Sequence, residues 1–216
     1  MKFAAVVFDM DGVIINSEPF YRRRREVFFQ NKKKYRYEQV KHRLTGSNPA
    51  DMFQMIIPDD PYERQKYIKW YQQFKDHYPI DFAACKDAEI QPLLAILKQN
   101  QIKIALASSS NMRIINDVLT VCRLNHYFNT IVSGECCRKN KPDPEIYLRV
   151  AAELKEDPHR CVAVEDSEYG IEAGKKAGMT VIAKKIADPF VNQCKADYIV
   201  DGLLHVACIL KLKETG

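Results

Sequence analysis

Asp9 and Asp11 stand two residues apart at the end of an unbroken apolar run, in the stretch AAVVFDMDGVIINSE (residues 4–18). Such a run suits a parallel-sheet strand covered on both faces, so both carboxylates fall where a buried strand runs out. Carboxylates crowded there repel one another and lose hydration. Three more apolar runs end in polar groups. IALAS closes on Ser108, with Ser109 and Ser110 next. TIVSG is followed by Glu135 and then by RKNKPDPEIY, which contains Lys141. CVAV leads into Glu165 and Asp166.

In an open parallel sheet, ligands bind beyond the carboxyl ends of the strands. Acids, hydroxyls and an amine thus gather on one rim. With Asp9, Asp11, Glu165 and Asp166 all ionised, Lys141 offsets only one of their charges. A hard divalent cation between the carboxylates relieves the excess. Mg²⁺ keeps several waters and binds one or two carboxylates plus a phosphate, which suits this all-oxygen set.

Each motif alone has a plainer reading. An acid pair after a strand caps a turn, SSS before a helix is an N-cap cluster, KPDP is a turn that starts a helix at Pro144, and EDS is a loop entering a helix. All four in this order, each at a strand's carboxyl end, point to a site.

The elements that must position these residues are legible. Strands are expected at 3–8, 102–108, 130–134, 161–166, 180–184 and 198–201, with helices at 112–122, 144–154, 169–177 and 203–212. Strands alternating with helices give an α/β fold, a Rossmann-like parallel sheet core flanked by helices. About 90 residues separate the first two strands, far more than one crossover requires. Residues 17–84 read as several helices broken at SNPAD and IPDDPYE. This divides the chain into a core of residues 1–16 and 85–216 and a small helical cap domain of residues 17–84. An insertion that leaves beside the carboxylates is placed to act as a lid.

Composition excludes several classes. The 216 residues are 46% hydrophobic and 28% charged, ordinary values for a globular chain. No apolar run approaches the length of a membrane span, and the start lacks a signal-peptide layout, so a cytoplasmic location is expected. Seven cysteines without a C-x-x-C pair suggest reduced thiols. Much of the +5 net charge lies in YRRRREVFFQNKKKYRYEQVKHR (residues 21–43). Four consecutive arginines sweep around a helix and cannot form one groove-facing stripe. They read as a solvated helix face whose stems cover apolar surface, with attraction of small anions as a further use. No nucleic-acid or membrane partner is expected. The chain reads as a monomer, since no extended apolar surface stripe is visible.

The motifs VVFDMDGVI (6–14), IALASSS (104–110), NKPDPEIY (140–147) and VAVEDSEYGIEAGKKAGM (162–179) resemble the haloacid dehalogenase superfamily of phosphotransferases. The match is nearest its beta-phosphoglucomutase-like subfamily, whose helical cap follows the first strand. The resemblance implies that Asp9 is the nucleophile and forms an aspartyl-phosphate. Asp11 serves as acid for the leaving alkoxide and as base for the incoming water. Ser108, with backbone N–H groups near Met10 and Ser109, grips phosphoryl oxygens, and Lys141 offsets charge. Mg²⁺ is held by Asp9, the Asp11 carbonyl and Asp166, with Glu165 helping directly or through water. Gly12 permits the sharp turn.

Dehalogenating relatives lack the second acid, so Asp11 favours phosphoryl transfer. The family's mutases carry a cap arginine where LTGSNPADMF (44–53) has Pro49, and a lysine where it has Thr45; Gly46 is retained. Tyr21 stands in place of a histidine and Asn111 in place of a lysine, while Lys41, Arg43 and Lys75 are candidate substitutes. The expectation is therefore a Mg²⁺-dependent phosphatase acting on a small phosphate monoester, such as a sugar phosphate or nucleotide. The alternatives are a sugar phosphomutase and a non-catalytic binding protein that keeps the fold.

Overall fold

A computed structural model describes residues 3–30, 35–44, 47 and 49–212. The chain divides into two compact units: Met1–Asn16 with Phe82–Gly216, and Ser17–Asp81. The strands are β1 (Ala5–Phe8), β2 (Lys103–Ser108), β3 (Thr130–Ser133), β4 (Cys161–Glu165), β5 (Thr180–Lys184) and β6 (Tyr198–Val200). In chain order the helices are α1 (Glu18–Phe29), α2 (Tyr37–Val40), α3 (Pro49–Ile56), α4 (Pro61–Asp76), α5 (Phe82–Cys85), α6 (Ile90–Gln99), α7 (Met112–Val121), α8 (Glu145–Leu154), α9 (Glu168–Lys176) and α10 (His205–Ile209). No helix among the described residues is long and apolar enough to cross a membrane.

The six strands form one parallel sheet in the order β3-β2-β1-β4-β5-β6, the α/β architecture expected from the sequence. β1 sits centrally because all four of its residues are apolar and fully buried. Strand alternation then sorts its side chains. Ala5 and Val7 join Ala105, Ala107, Cys161 and Ala163 in a core that also takes Ile146, Tyr147 and Val150 of α8 and Ile171 and Ala173 of α9. Small residues on the strands let α8 and α9 settle close to the sheet. Val6, Phe8, Ile104, Leu106, Val162 and Val164 alternate to the opposite face and are equally buried, with α6 packed on β2 and α7 on β3.

The second unit has its own core of Phe28, Phe29, Tyr37, Leu44, Phe53, Ile56, Tyr67 and Tyr71 among others. Its aromatic rings meet mostly edge to face, as Phe28 does with Tyr71 at 5.0 Å. One expectation needs correction here. The arginine run reads as solvated, yet α1 buries Arg24 and Arg25 and leaves Arg22 and Arg23 exposed.

Candidate active site

β1 runs out at Phe8, which pairs with Leu106 of β2 and Val164 of β4. One step further, Asp9 continues the side taken by Ala5 and Val7, and Glu165 continues the side taken by Cys161 and Ala163. That is the side α8 covers. Alternation alone therefore sends both carboxylates toward the helix that carries Tyr147 and toward the segment before it that carries Lys141.

They meet in a buried knot. Lys141 Nζ donates to Asp9 Oδ1 at 2.6 Å, to Glu165 Oε1 at 2.6 Å and to the Ala107 carbonyl at 3.1 Å. The Tyr147 hydroxyl donates to the same Glu165 Oε1 at 2.6 Å, and the lysine nitrogen also lies 5.1 Å from the centre of the Tyr147 ring. Glu165 Oε2 accepts the Asp166 N–H and the Ser167 hydroxyl, each at 3.2 Å. Glu165 is wholly buried and both of its oxygens are engaged, so its plainest role is to hold Lys141. Asp9 differs. Its Oδ2 accepts no hydrogen bond from a described residue and is not sealed from solvent.

Burial opposes the charge on Lys141, but Asp9 and Glu165 outweigh it and hold the ammonium well above its usual value. Burial pushes the Asp9 carboxyl up to about 8; Lys141 opposes the rise, while Glu165 and Asp11 add to it. Between the ordinary carboxylate value of 3.8 and about 8, folded Asp9 keeps a proton that the unfolded chain has released. Stability is then lost as pH rises through that window. With metal chelated, wild-type melting temperature should fall more steeply between pH 5 and pH 8 than that of Asp9→Asn, which has no such proton to lose. Parallel melting curves across that range would contradict the assignment.

The turn after β1 is fixed by its backbone. Ile14 and Ile15 donate to the Met10 carbonyl at 2.9 and 3.1 Å, and Gly12 donates to Ile15 at 2.7 Å. Gly12 has φ +83°, and a Cβ there would stand 1.8 Å from Asp166 Oδ2. Its lack of a side chain thus serves both the turn and the space for Asp166. Asp11 is half-buried and accepts the Ser110 hydroxyl at 3.2 Å. Ser108 is buried, and its Oγ accepts the Ser110 N–H at 3.1 Å, so the hydroxyl still has its proton to donate. Ser109 is exposed. The backbone N–H groups of Met10 and Ser109 donate to no described residue. Of the plainer readings, the serine cluster is corrected, since Asn111 and not a serine caps α7 through the Ile114 N–H, while the loop reading of EDS stands beside the site, with Ser167 capping α9 through the Gly170 N–H.

A divalent cation fits the donors present. Asp9, Glu165 and Asp166 each offer a carboxylate oxygen, and these atoms lie within 4.8 Å of one another. The cleared space at Gly12 faces Asp166, one of these donors.

Tyr147 is the site residue that the sequence motifs do not single out. It closes the motif NKPDPEIY. It is also the one hydroxyl on the buried face of α8, beside Ile146, Val150, Ala151 and Leu154. A buried tyrosine hydroxyl needs a partner, and that is the available signal. In the helical unit, Pro49 opens α3, Lys41 pairs with Glu38 at 2.7 Å and Arg43 is exposed. Thr45 and Gly46 lie outside the described residues.

A profile of haloacid dehalogenase-like hydrolases matches residues 6–184. A phosphorylated carbohydrates phosphatase of Thermotoga maritima is 32% identical over 180 residues, covering 81% of this chain and 82% of that protein. Hexitol phosphatase B of Escherichia coli is 31% identical over 188 residues, covering 84% and 83%. Among solved structures, a beta-phosphoglucomutase from Clostridium difficile superposes with a TM-score of 0.77 at 23% identity, over 97% of this chain and 96% of that one. At that identity the superposition shows the fold alone.

Proposed function

The chain belongs to the haloacid dehalogenase-like hydrolase family, and on that premise we propose that it is a Mg²⁺-dependent phosphatase of small sugar phosphates that works through an aspartyl-phosphate. The observation that carries this reading is the state of Asp9. Its Oδ1 is held by Lys141 at 2.6 Å, while Oδ2 is open to an incoming group. A carboxylate fixed by one oxygen can present the other in line to phosphorus.

In this reading Asp9 Oδ2 forms a bond to phosphorus as the bond to the substrate's alkoxide oxygen breaks. Asp11 gives that oxygen a proton. Asp11 then takes a proton from water, whose oxygen attacks the acyl-phosphate, releases inorganic phosphate and restores Asp9. The Ser108 hydroxyl and the N–H groups of Met10 and Ser109 donate to the phosphoryl oxygens. Lys141 favours the ionised form of Asp9 against its burial and aims it, and Glu165 with Tyr147 keeps Lys141 in place. Asp9, Asp166 and the Asp11 carbonyl would hold the cation, with Glu165 behind them. A bound Mg²⁺ supplies charge neutralisation for the phosphoryl oxygens and for the crowded acids. The enzyme acts in the cytoplasm as a monomer. The relatives named as acting on phosphorylated carbohydrates and hexitol phosphates support the sugar-phosphate class.

Phosphate release across a panel of sugar phosphates and nucleotides tests the reading, with and without Mg²⁺ and a sugar bisphosphate. The expected result is release from sugar phosphates that chelation abolishes and the bisphosphate does not accelerate. Isomerisation that needs the bisphosphate and outpaces phosphate release would make the protein a mutase instead.

A further inference from the structure

Asp166 offers an oxygen to the candidate cation site, yet it stands on no regular element. The ladder between β4 and β5 ends at the pair Glu165–Ala183, and Ser167 already caps α9. Asp166 lies between the two. Its carboxylate has little room, since a Cβ at Gly12 would stand 1.8 Å from its Oδ2. Where the carboxylate points follows from how the Asp166 backbone is turned, and the strand no longer fixes that backbone.

Side chains fix it instead. The Asp166 N–H donates to Glu165 Oε2 at 3.2 Å. The Asp166 carbonyl accepts from Gln193 Nε2 at 2.6 Å, and the same nitrogen donates to the Lys184 carbonyl at 2.8 Å. Carbonyl oxygens only accept, so the nitrogen of the amide must face both, with one hydrogen for each. Gln193 thus forks between the residue after β4 and the last residue of β5. It links the two strands just past the point where their backbone ladder gives out. The Lys184 anchor is itself held: its Nζ donates to Asp87 Oδ2 at 2.7 Å and, in the turn after β1, to the Val13 carbonyl at 3.3 Å.

Gln193 belongs to an unusual connection. β5 and β6 are parallel neighbours, and such pairs are usually joined through a helix. Residues 185–197 contain none. An irregular connection of that length within a compact unit is commonly functional. The Gln193 carbonyl accepts the Ala196 N–H at 3.1 Å, and Asp197 donates to the Val181 carbonyl at 2.9 Å. The half-buried amide therefore reaches the rim from a turn anchored to the sheet.

We propose that Gln193 is a positioning residue for the cation site: its amide holds the Asp166 backbone, and with it the Asp166 carboxylate, where a divalent cation is taken up. Glu165 also holds Asp166, but it is a partner of Lys141 as well. Gln193 is the contact that can be removed without disturbing Lys141. Its role rests on the proposed reading of Asp166 as a cation donor, and separate variants keep the two questions apart.

The test is binding of Mn²⁺, a spectroscopic stand-in for Mg²⁺ among oxygen donors, to the full chain without substrate. The electron paramagnetic resonance signal of free Mn²⁺ reads the dissociation constant in wild type, Asp166→Asn and Gln193→Met. Methionine keeps the length of the side chain and removes both donors. Asp166→Asn should lose most of the affinity. Gln193→Met should weaken binding about ten- to a hundredfold, the usual effect of removing a group that orients a metal ligand. In turnover, Gln193→Met should need correspondingly more Mg²⁺ for half-maximal rate, with kcat at saturating Mg²⁺ close to that of wild type.

A Gln193→Met protein that melts lower in chelator but binds Mn²⁺ as wild type does, while Asp166→Asn does not, overturns the role of Gln193 and makes it a loop support; the cation site then stands. A wild type that takes up no Mn²⁺, or an Asp166→Asn protein that binds it equally well, overturns the cation site, and the role of Gln193 falls with it. Should Gln193→Met fail to fold, Gln193→Asn, whose shorter stem draws the amide back from both carbonyls, must show the weakened binding or the proposal falls.

Discussion

Asp9→Asn abolishes Mg²⁺-dependent phosphate release from an aryl phosphate and leaves the fold intact. The substitution is nearly isosteric. The asparagine carbonyl can still accept from Lys141 Nζ, which reaches Asp9 Oδ1 at 2.6 Å in the wild type. Glu165 remains as the second acceptor for that lysine. An amide oxygen, however, is too weak a nucleophile to displace an alkoxide from phosphorus. Loss of a covalent nucleophile removes about 10⁴-fold or more of the rate, so turnover should fall to background. The melting temperature at neutral pH should be no lower than that of wild type, since the buried contacts survive and no proton has to be held on the side chain. Turnover in the variant comparable with wild type would refute the assignment of Asp9.

Lys141→Met should lose both activity and stability. Lys141 is the cation between two carboxylates on the buried side of the rim, with side-chain exposures of 6% for the lysine, 11% for Asp9 and 0% for Glu165. Removing it leaves Glu165 inside the protein with only neutral donors from Tyr147, Ser167 and the Asp166 backbone. Breaking a buried pair of this kind costs about 3–5 kcal/mol. The lost charge stabilisation should lower kcat by about 10²–10³-fold.

A second substitution separates the two effects. In Lys141→Met/Glu165→Gln the stranded charge is gone, and the amide can still accept from Tyr147. Most of the lost stability should return while activity stays low. A double variant that recovers both would mean that Lys141 matters only for the fold. A double variant no more stable than the single one would mean that Glu165 is not the residue left stranded.

The sheet and its rim are legible in the amino-acid sequence because their signals are local. FAAVVF, IKIALAS and CVAVE are too apolar and too short to be anything but buried strands. The polar residue at each carboxyl end lies on the chain immediately after them. Alternation then fixes the side to which Asp9 and Glu165 point. Tyr147 is harder to find, because its role depends on which face of α8 meets the sheet, and that contact joins residues far apart in sequence. Arg24 misleads for the opposite reason. A run of four arginines looks uniform in sequence, while a helix turns each one to a different neighbour; Arg24 meets Tyr71, far along the chain on α4, and no local pattern carries that contact. Gly12 is legible as a turn glycine. Its second use, leaving room for Asp166, is a contact across the rim that no local pattern carries.

The most direct measurement is chemical trapping of the phosphoryl group during turnover. The protein, saturated with a sugar phosphate and Mg²⁺, is quenched in acid within its first cycles, reduced with borohydride and digested. An acyl-phosphate on Asp9 would be reduced to the alcohol, so the peptide spanning residues 3–22 should carry that mass change at position 9. The change should be absent without substrate and absent in Asp9→Asn. Phosphate released at the normal rate with position 9 unmodified, or with the phosphoryl group trapped on another residue, would contradict the account.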